Sequence, residues 1–329
     1  MKSWNISSLV QADAWSLTLR WLVWAALADW LVTRTFTRSA IFMPKAPAVI
    51  AIYQALTLAG QVVATLTGLL AFVTLAWIIA REWRRRDMLG TVLAGCASLG
   101  LLFLFVAAFG WLAVAYHGLM LLVALLILWR AAQASWAGRL LHIGLLFPAA
   151  AFISGEIYQL APAIYQALRW PGPPPFTGFL FNLGELFAVI SPIALWLAYG
   201  RNTSRRVWVV AAIPALVFGV MHFANPAMTG IIAIWSVGLT LYLPWPLYVV
   251  GLWLAAVTAL AALRRNQQIG WAILLLVAGG YAPQLTTHAF LGLIALWLLA
   301  APNVQPAASR QPTTQEDRLP LPATALGHP

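Results

Sequence analysis

Long runs without a charged residue constrain this chain more than any other feature of its sequence. Charged residues mark the edges of four such runs: Lys45 to Arg81, Asp87 to Arg130, Arg206 to Arg264, and Arg265 to Arg310. A membrane-spanning helix needs roughly 20 apolar residues, and every run is longer than that. No run alternates in polarity every second residue over about ten residues, as a strand of a membrane barrel would. The sequence therefore predicts an all-α fold, a polytopic transmembrane helical bundle with about 8–10 spans.

The composition excludes most other classes of protein. Of 329 residues, 62% are hydrophobic and 8% are charged, and the mean hydropathy is +0.85. A soluble domain carries about a quarter charged residues, so we exclude a cytosolic enzyme, a secreted disulfide scaffold and a disordered protein. The net charge of +11 comes from arginines clustered beside apolar segments, which indicates topology and attraction to anionic headgroups. The expected partner is the lipid bilayer rather than a nucleic acid, and the expected localisation is the cell membrane, multi-pass.

The apolar segments give a first map of the spans. The expected spans cover residues 15–32, 49–80, 89–108, 111–129, 140–158, 176–198, 207–222, 228–243, 246–263 and 271–299. The second would be about 48 Å long against a hydrocarbon core of about 30 Å, so it must tilt, kink near Gly60 or begin as an interfacial helix. The last contains Gly-Gly-Tyr-Ala-Pro at 279–283, which predicts either a broken helix or a tight hairpin.

Basic residues predict the orientation of the bundle. They cluster at residues 81–87, at Arg130 with Arg139, and at residues 201–206. Pairs of spans separate these loops, so all three can lie on one side, which the charge rule predicts to be the cytoplasm. If the segment 228–243 enters the membrane and returns without crossing, Arg264 and Arg265 become cytoplasmic as well.

The domain organisation follows from composition and from one short repeat. Residues 1–300 are expected to form a single transmembrane helical domain. The sequence Ala-Ile-Tyr-Gln-Ala-Leu at 51–56 recurs at 163–168, which indicates a degenerate internal duplication with repeats 1–135 and 138–268. Residues 301–329 are rich in Pro, Ala, Gln and Thr, and such a segment cannot bury enough apolar surface to order itself, so we expect a disordered tail.

Ionisable groups inside the spans are the functional candidates, because a charge in lipid is costly. They are Arg20, Asp29, His117, His142, Glu156, Glu185, His222 and His288. Depth along the spans places His117, Glu156, Glu185 and His222 in the outer half, where they could converge, whereas Asp29 is expected to face water. Carboxylate with imidazole suits acid–base chemistry, and two imidazoles with a carboxylate also suit zinc. The alternative is that these groups make interhelical hydrogen bonds that fix packing.

One motif adds a resemblance to a known family. Residues 218–222, Phe-Gly-Val-Met-His, resemble the Phe-x-x-x-His motif of the CPBP intramembrane peptidases, which include the CAAX-type enzymes. Glu185, His222 and His288 follow the family's order of a glutamate, this motif and a further histidine. Gly184 precedes Glu185, where the family has a second glutamate. The resemblance implies an all-helical intramembrane hydrolase in which Glu185 activates water while His222 and His288 stabilise the oxyanion or bind metal. The implied substrate is a hydrophobic peptide or lipid-like molecule.

The same residues permit a geometric hypothesis about this site. Glu185 and His222 lie on consecutive predicted spans joined by the short loop 200–206, so we expect their helices to be antiparallel neighbours. Counting from that loop places the two residues within about one helical turn of the same depth.

Two other functions remain open from the sequence. Prolines 148, 192, 214 and 226 permit the broken helices of transporters, and a scaffold subunit of a membrane complex would use its polar groups for packing. A b-type haem held between His117 and His222 is the third alternative. The single cysteine, Cys96, excludes an intrachain disulfide and a cysteine-based metal site. The sequence identifies no specific cofactor or metal.

Overall fold

The helical bundle is seen in a computed structural model of the chain. It describes residues 6–32, 46–103, 110–133, 139–172, 176–201, 203–223, 232–233, 240–241, 245–279 and 285–300. The tail at 301–329, predicted to be disordered, lies outside these residues.

Within the described residues the chain forms ten α-helices and one pair of two-residue strands. The helices are α1 (Ile6–Leu31), α2 (Pro47–Arg84), α3 (Met88–Leu102), α4 (Gly110–Gln133), α5 (Arg139–Ala167), α6 (Thr177–Leu195), α7 (Arg205–Phe223), α8 (Trp245–Arg265), α9 (Gln267–Gly279) and α10 (Leu285–Ala300). A π-helical turn, Trp196–Gly200, continues α6. The strands β1 (Ile232–Ala233) and β2 (Thr240–Leu241) pair antiparallel. The predicted all-α helical bundle is confirmed.

Several helices have the length and composition of membrane spans. Among the described residues, four segments are long and apolar enough to cross a membrane: Pro47–Arg84, Gly110–Gln133, Ile143–Ala167 and Thr177–Gly200. Three shorter apolar helical segments are Met88–Leu102, Gln267–Gly279 and Ala289–Ala300. The chain is therefore a multi-pass membrane protein, and the count of about 8–10 crossings stays a prediction.

Helix α2 is a single overlong helix, as the sequence predicts. It contains 38 residues and starts with Pro47 in its first turn, where the missing N–H of proline costs nothing. Its buried residues begin at Gly60, and the residues before Gly60 are exposed or partly buried. The last turn carries Arg81 and Arg84, whose positive charges are favourable beside the carbonyl end of the helix.

Helix α10 is the centre of the bundle. Every residue from 289 to 299 is buried, and a helix that is apolar all round must be surrounded by protein or lipid. It packs against α2, α4, α5 and α9. Gly100 of α3 also comes close, because a Cβ atom placed there would lie 2.5 Å from Cζ of Phe290.

Helices adjacent in sequence pack side by side around α10, with one exception. Contacts join each consecutive pair from α1 to α6 and from α7 to α10, and α1 also packs against α9. Helix α6 packs against α5 and α8, and α7 packs against α8. In the described part of the chain, α8 therefore lies between α6 and α7.

The arginine loops lie together at one end of the bundle, which we call the arginine-rich end. Glu82 at the end of α2 accepts hydrogen bonds from Arg130 near the end of α4 and from Trp297 near the end of α10. The start of α5 faces the end of α6, because a Cβ atom on Gly144 would lie 2.7 Å from Cβ of Ala198. This is the arrangement that the sequence predicts for the loops at 81–87, 130–139 and 201–206.

The return of α8 brings a fourth basic pair to the same end. Oγ1 of Thr258 lies 3.2 Å from the Cβ position of Gly200, and the Trp253 indole donates to the carbonyl of Trp208 at 2.9 Å. Helix α8 thus runs antiparallel to α7, towards the arginine-rich end, and its last turn carries Arg264 and Arg265.

Two of the predicted spans differ from the structure. The span expected over 228–243 is wrong, because β1 and β2 pair within it and a strand pair cannot continue as one helix. The last span, 271–299, contains two packed helices, α9 and α10, so the hairpin alternative is the correct one.

The internal duplication stays a prediction. Its boundary at 135–138 falls between α4 and α5. The two copies of the hexapeptide occupy different positions, since residues 51–56 belong to the first turns of α2 and residues 163–168 to the end of α5.

Candidate functional site

A histidine–glutamate pair joins α4 and α5 inside the bundle. Nδ1 of His117 lies 2.8 Å from Oε2 of Glu156; when the carboxylate is ionised it only accepts, and the Nδ1–H group donates. The side chains are 16% and 10% exposed, respectively. The pair is thus largely shielded from bulk solvent and lipid.

The pair lies in the half of the bundle opposite the arginine-rich end. His117 is about seven residues from the start of α4, and Glu156 is about seventeen residues from the start of α5, which is roughly 10 Å and 25 Å of helical rise. Because α4 and α5 are antiparallel, these opposite offsets bring the two residues to one level. The sequence predicts this convergence for His117 and Glu156, and the contact confirms it.

Buried aromatic groups lie on one side of the pair. The ring of Tyr116 packs edge-on against the rings of His117 and Phe103, with centroids 5.2 and 5.1 Å away. Tyr116 is 3% exposed, so its ring shields the pair from solvent on that side.

The chemistry available to this pair is proton transfer. With Nδ1–H bonded to the carboxylate, Nε2 of His117 keeps its lone pair and can act as a base, and the carboxylate stabilises the imidazolium that forms. The described residues contain no group of three or more His, Cys, Asp or Glu side chains able to hold a metal ion. The pair therefore supplies at most two protein ligands to a metal on its own.

The structure places the three predicted catalytic residues on three different helices. Glu185 lies in α6, His222 in α7 and His288 in α10. Their side chains lie outside the described part of the chain, so the predicted roles stay predictions. Their backbones, however, can be compared with the position of the His117–Glu156 pair.

The backbone of Glu185 lies at the depth of Glu156 on a neighbouring helix. Gly144 of α5 approaches Ala198 of α6, and Glu156 lies about twelve residues further along α5. Helices α5 and α6 are antiparallel neighbours. Counting about twelve residues back from Ala198, through the π-helical turn and along α6, therefore leads to within one residue of Glu185.

The backbone of His288 also lies near the pair. Helix α10 packs against both α4 and α5. The ring centroids of Phe290 and Tyr116 are 6.4 Å apart. His288 is two residues before Phe290, and Tyr116 directly precedes His117, so the two histidines lie within about one helical turn of the same level.

His222 lies on a helix that does not border the pair in the described residues. The expectation that α6 and α7 are antiparallel neighbours stays a prediction. Among the described residues α8 packs against both helices, while Trp196 of the π-helical turn after α6 packs against Trp208 of α7, with ring centroids 6.1 Å apart. Consecutive helices often pack together, but a later helix can insert between them. A haem held between His117 and His222 would likewise have to bridge α4 and α7, which share no major interface among the described residues.

Sequence reasoning missed a second polar cluster at the arginine-rich end, which we call the Glu82 cluster. Glu82 is fully buried, and its two oxygens accept from Arg130 at 2.6 Å, from Trp297 at 3.1 Å and from Arg85 at 3.4 Å. Arg130 also lies 3.3 Å from Asp87. The carboxylate oxygens of Glu82 are thus paired with donors from other parts of the protein, and these bonds hold α2, α3, α4 and α10 together.

The predicted exposure of Asp29 is wrong. The sequence predicts that it faces water, but it is 1% exposed, because α1 packs against both α2 and α9.

Comparison with protein-family models, with curated proteins and with solved structures gives no match to this chain.

Proposed function

We propose that this protein is an intramembrane hydrolase of the cell membrane whose acid–base centre is the His117–Glu156 pair. The observation that carries the proposal is the 2.8 Å contact between Nδ1 and the carboxylate. In many hydrolases a base activates the nucleophile and is itself held in orientation by a neighbouring carboxylate. In this proposal His117 is the base and Glu156 is the positioning residue.

The proposed reaction is hydrolysis of an amide or ester. A water oxygen bonds to the carbonyl carbon, its proton passes to Nε2 of His117, and the electron pair of the C=O bond moves to oxygen. When the tetrahedral intermediate collapses, the C=O bond reforms, and the bond from carbon to the amide nitrogen or ester oxygen breaks with its electron pair on the departing atom. His117 gives the proton to that atom. The Glu156 carboxylate stays ionised and stabilises the imidazolium between the two steps.

Two residues from the resemblance to CPBP peptidases fit beside this centre. The backbones of Glu185 and His288 lie at its level on α6 and α10, helices that pack against α5. We propose that these side chains complete the site and that His222 contributes only if α7 approaches it. A site at this depth, between helices with many exposed apolar side chains, suits a hydrophobic peptide or lipid-like substrate that enters from the bilayer.

The test is cleavage by the full chain in proteoliposomes. A panel of hydrophobic peptides carrying a fluorophore and a quencher serves as substrate. We expect His117→Ala and Glu156→Gln each to lower kcat/KM by about 100-fold or more, as loss of a general base does. Glu316→Gln, a carboxylate removed from the tail, is the matched control and should cleave at the wild-type rate.

Three results would separate the parts of the proposal. Unchanged cleavage in both His117→Ala and Glu156→Gln would overturn the assignment of the centre. Loss of cleavage in Glu185→Gln but not in His117→Ala would move the base to Glu185. A wild-type protein that cleaves no peptide in the panel would argue for the second candidate.

The second candidate is a transporter, and one observation favours it. Three helices contain prolines in their interiors: Pro148 and Pro162 in α5, Pro192 in α6 and Pro214 in α7. A π-helical turn begins four residues after Pro192, at Trp196, and such turns are frequent at functional sites. Proteoliposomes containing a pH-sensitive dye would show proton movement that His117→Ala abolishes.

A further inference from the structure

The hydroxyl group of Tyr116 has no partner within the described structure. It is a buried side-chain oxygen without a hydrogen bond, on a residue that is 3% exposed. A buried polar group left unpaired destabilises the folded protein, so few such groups persist without a reason.

The tyrosine ring is held in place by other aromatic rings. Phe103, His117 and Phe290 pack edge-on against it, with centroids 5.1, 5.2 and 6.4 Å away. Three contacts from α3, α4 and α10 leave the ring little freedom to turn. The hydroxyl is therefore fixed in position before any ligand arrives, which is the condition for effective electrostatic stabilisation.

The tyrosine lies beside the proposed base. Tyr116 directly precedes His117 in α4, and the two rings pack edge-on with centroids 5.2 Å apart. The His117 side chain is 16% exposed, and a Cβ atom added at Gly118 would meet no atom within 4 Å. The histidine of the pair is thus partly exposed, whereas the Tyr116 hydroxyl beside it is buried.

We infer that Tyr116 is a substrate-binding residue whose O–H group donates to the carbonyl oxygen that the His117-activated water attacks. This inference rests on the proposed hydrolase function. As the C=O electron pair moves to oxygen, the negative charge develops beside a donor that no protein group occupies. The ligand class is therefore a carbonyl compound, an amide or ester, whose oxygen satisfies the hydroxyl.

The test compares Tyr116→Phe with Tyr199→Phe in nanodiscs. Tyr199 is also buried, at 9% exposure, and its hydroxyl is not among the buried unpaired atoms. Tyr116→Phe keeps the aromatic packing and removes one unpaired oxygen, so its Tm should stay level or rise by about 2 °C. Its kcat/KM on the cleaved peptide should fall about 10- to 1,000-fold, while Tyr199→Phe stays within about twofold.

A hydrophobic dipeptide aldehyde provides a readout besides turnover. Its hydrate resembles the tetrahedral intermediate, and such analogues bind more tightly than substrates. We expect the aldehyde to raise the Tm of the wild type and of Tyr199→Phe but not of Tyr116→Phe.

Each outcome has one meaning. If Tyr116→Phe lowers Tm by several degrees and still responds to the aldehyde, the hydroxyl is a structural group and the inference is overturned. If the wild type cleaves and Tyr116→Phe cleaves equally well, the inference fails while the hydrolase function stands. If the wild type neither cleaves nor responds to the aldehyde, the proposed function fails, and this inference fails with it.

Discussion

Glu82 is a carboxylate buried at the end of a membrane helix, with both oxygens bonded to other side chains. Arg130, Arg85 and Trp297 supply the donors, and Arg81 lies 5.3 Å above the ring of Trp297. The cluster joins residues far apart in sequence. A buried charge is tolerated only when opposite charges and hydrogen bonds compensate for its lost hydration. Removal of one partner leaves the remaining buried groups without that compensation.

Replacement of Glu82 should therefore weaken the bundle. We expect Glu82→Gln to lower the free energy of unfolding by about 2–4 kcal/mol, because Arg130 loses its charged partner and keeps only Asp87. Thermal unfolding in detergent measures the change, and Glu316→Gln in the tail is the matched control. Equal stability of Glu82→Gln and the control would show that solvent reaches Arg130 well enough to replace the pair.

Residue-level prediction worked where depth alone decides contact. His117 and Glu156 could be placed at one level by counting along helices, since the rise per residue is constant. Glu82 could not be found this way, because a glutamate among four arginines and an aspartate at 81–87 is typical of a solvated loop. Only the packing of α4 and α10 against α2 buries it.

At the scale of elements, close approach of helices depends on small residues at particular positions. Gly100 of α3 faces the ring of Phe290 in the central helix. Gly118 of α4 has open space around its Cβ position. Membrane helices pack through such small residues, because burial of apolar surface in lipid provides little driving force.

The two glycines predict opposite effects of one substitution. Gly100→Ala should destabilise the bundle by about 1–3 kcal/mol, since the new methyl group overlaps Phe290 and the core must shift. Gly118→Ala should stabilise it by about 0.5–1 kcal/mol, the ordinary gain of alanine over glycine within a helix. Unfolding in detergent measures both, and a stabilising Gly100→Ala would show that Phe290 can move aside.

Helix positions were predictable, whereas helix neighbours were not. Runs such as 46–80 and 88–129 are apolar throughout, so they define helices of known length but give no face that selects a partner. The insertion of α8 between α6 and α7 therefore could not be predicted. The β1–β2 pair within 228–243 was missed for the same reason, since an apolar run of that length fits a span by hydropathy alone.

At the scale of the whole molecule, charge divides the bundle into two ends. The arginine-rich end carries exposed Arg201, Arg205, Arg206 and Arg264, while Glu82 and Asp87 there are engaged by Arg85 and Arg130. Uncompensated arginines are retained on the cytoplasmic side during insertion and attract anionic headgroups.

Labelling can test which side of the membrane this end faces. In a Cys96→Ser background, Arg84→Cys and Ser204→Cys should both react with a membrane-impermeant maleimide only when the cytoplasmic face is open. Cells labelled before and after permeabilisation provide the comparison. Reaction of the two positions from opposite sides would contradict the shared end that the Glu82 and Gly144 contacts establish.

The central position of α10 has a consequence for biosynthesis. The ribosome makes α10 after α2, α4, α5 and α9, so those four helices enter the membrane before the helix that fills the space between them exists. Until then, the carboxylate of Glu82 lacks the indole of Trp297, and Gly100 lacks the ring of Phe290 that it faces. Until α10 is made, the centre of the bundle is open, and that nascent form is where chaperones and membrane proteases would act.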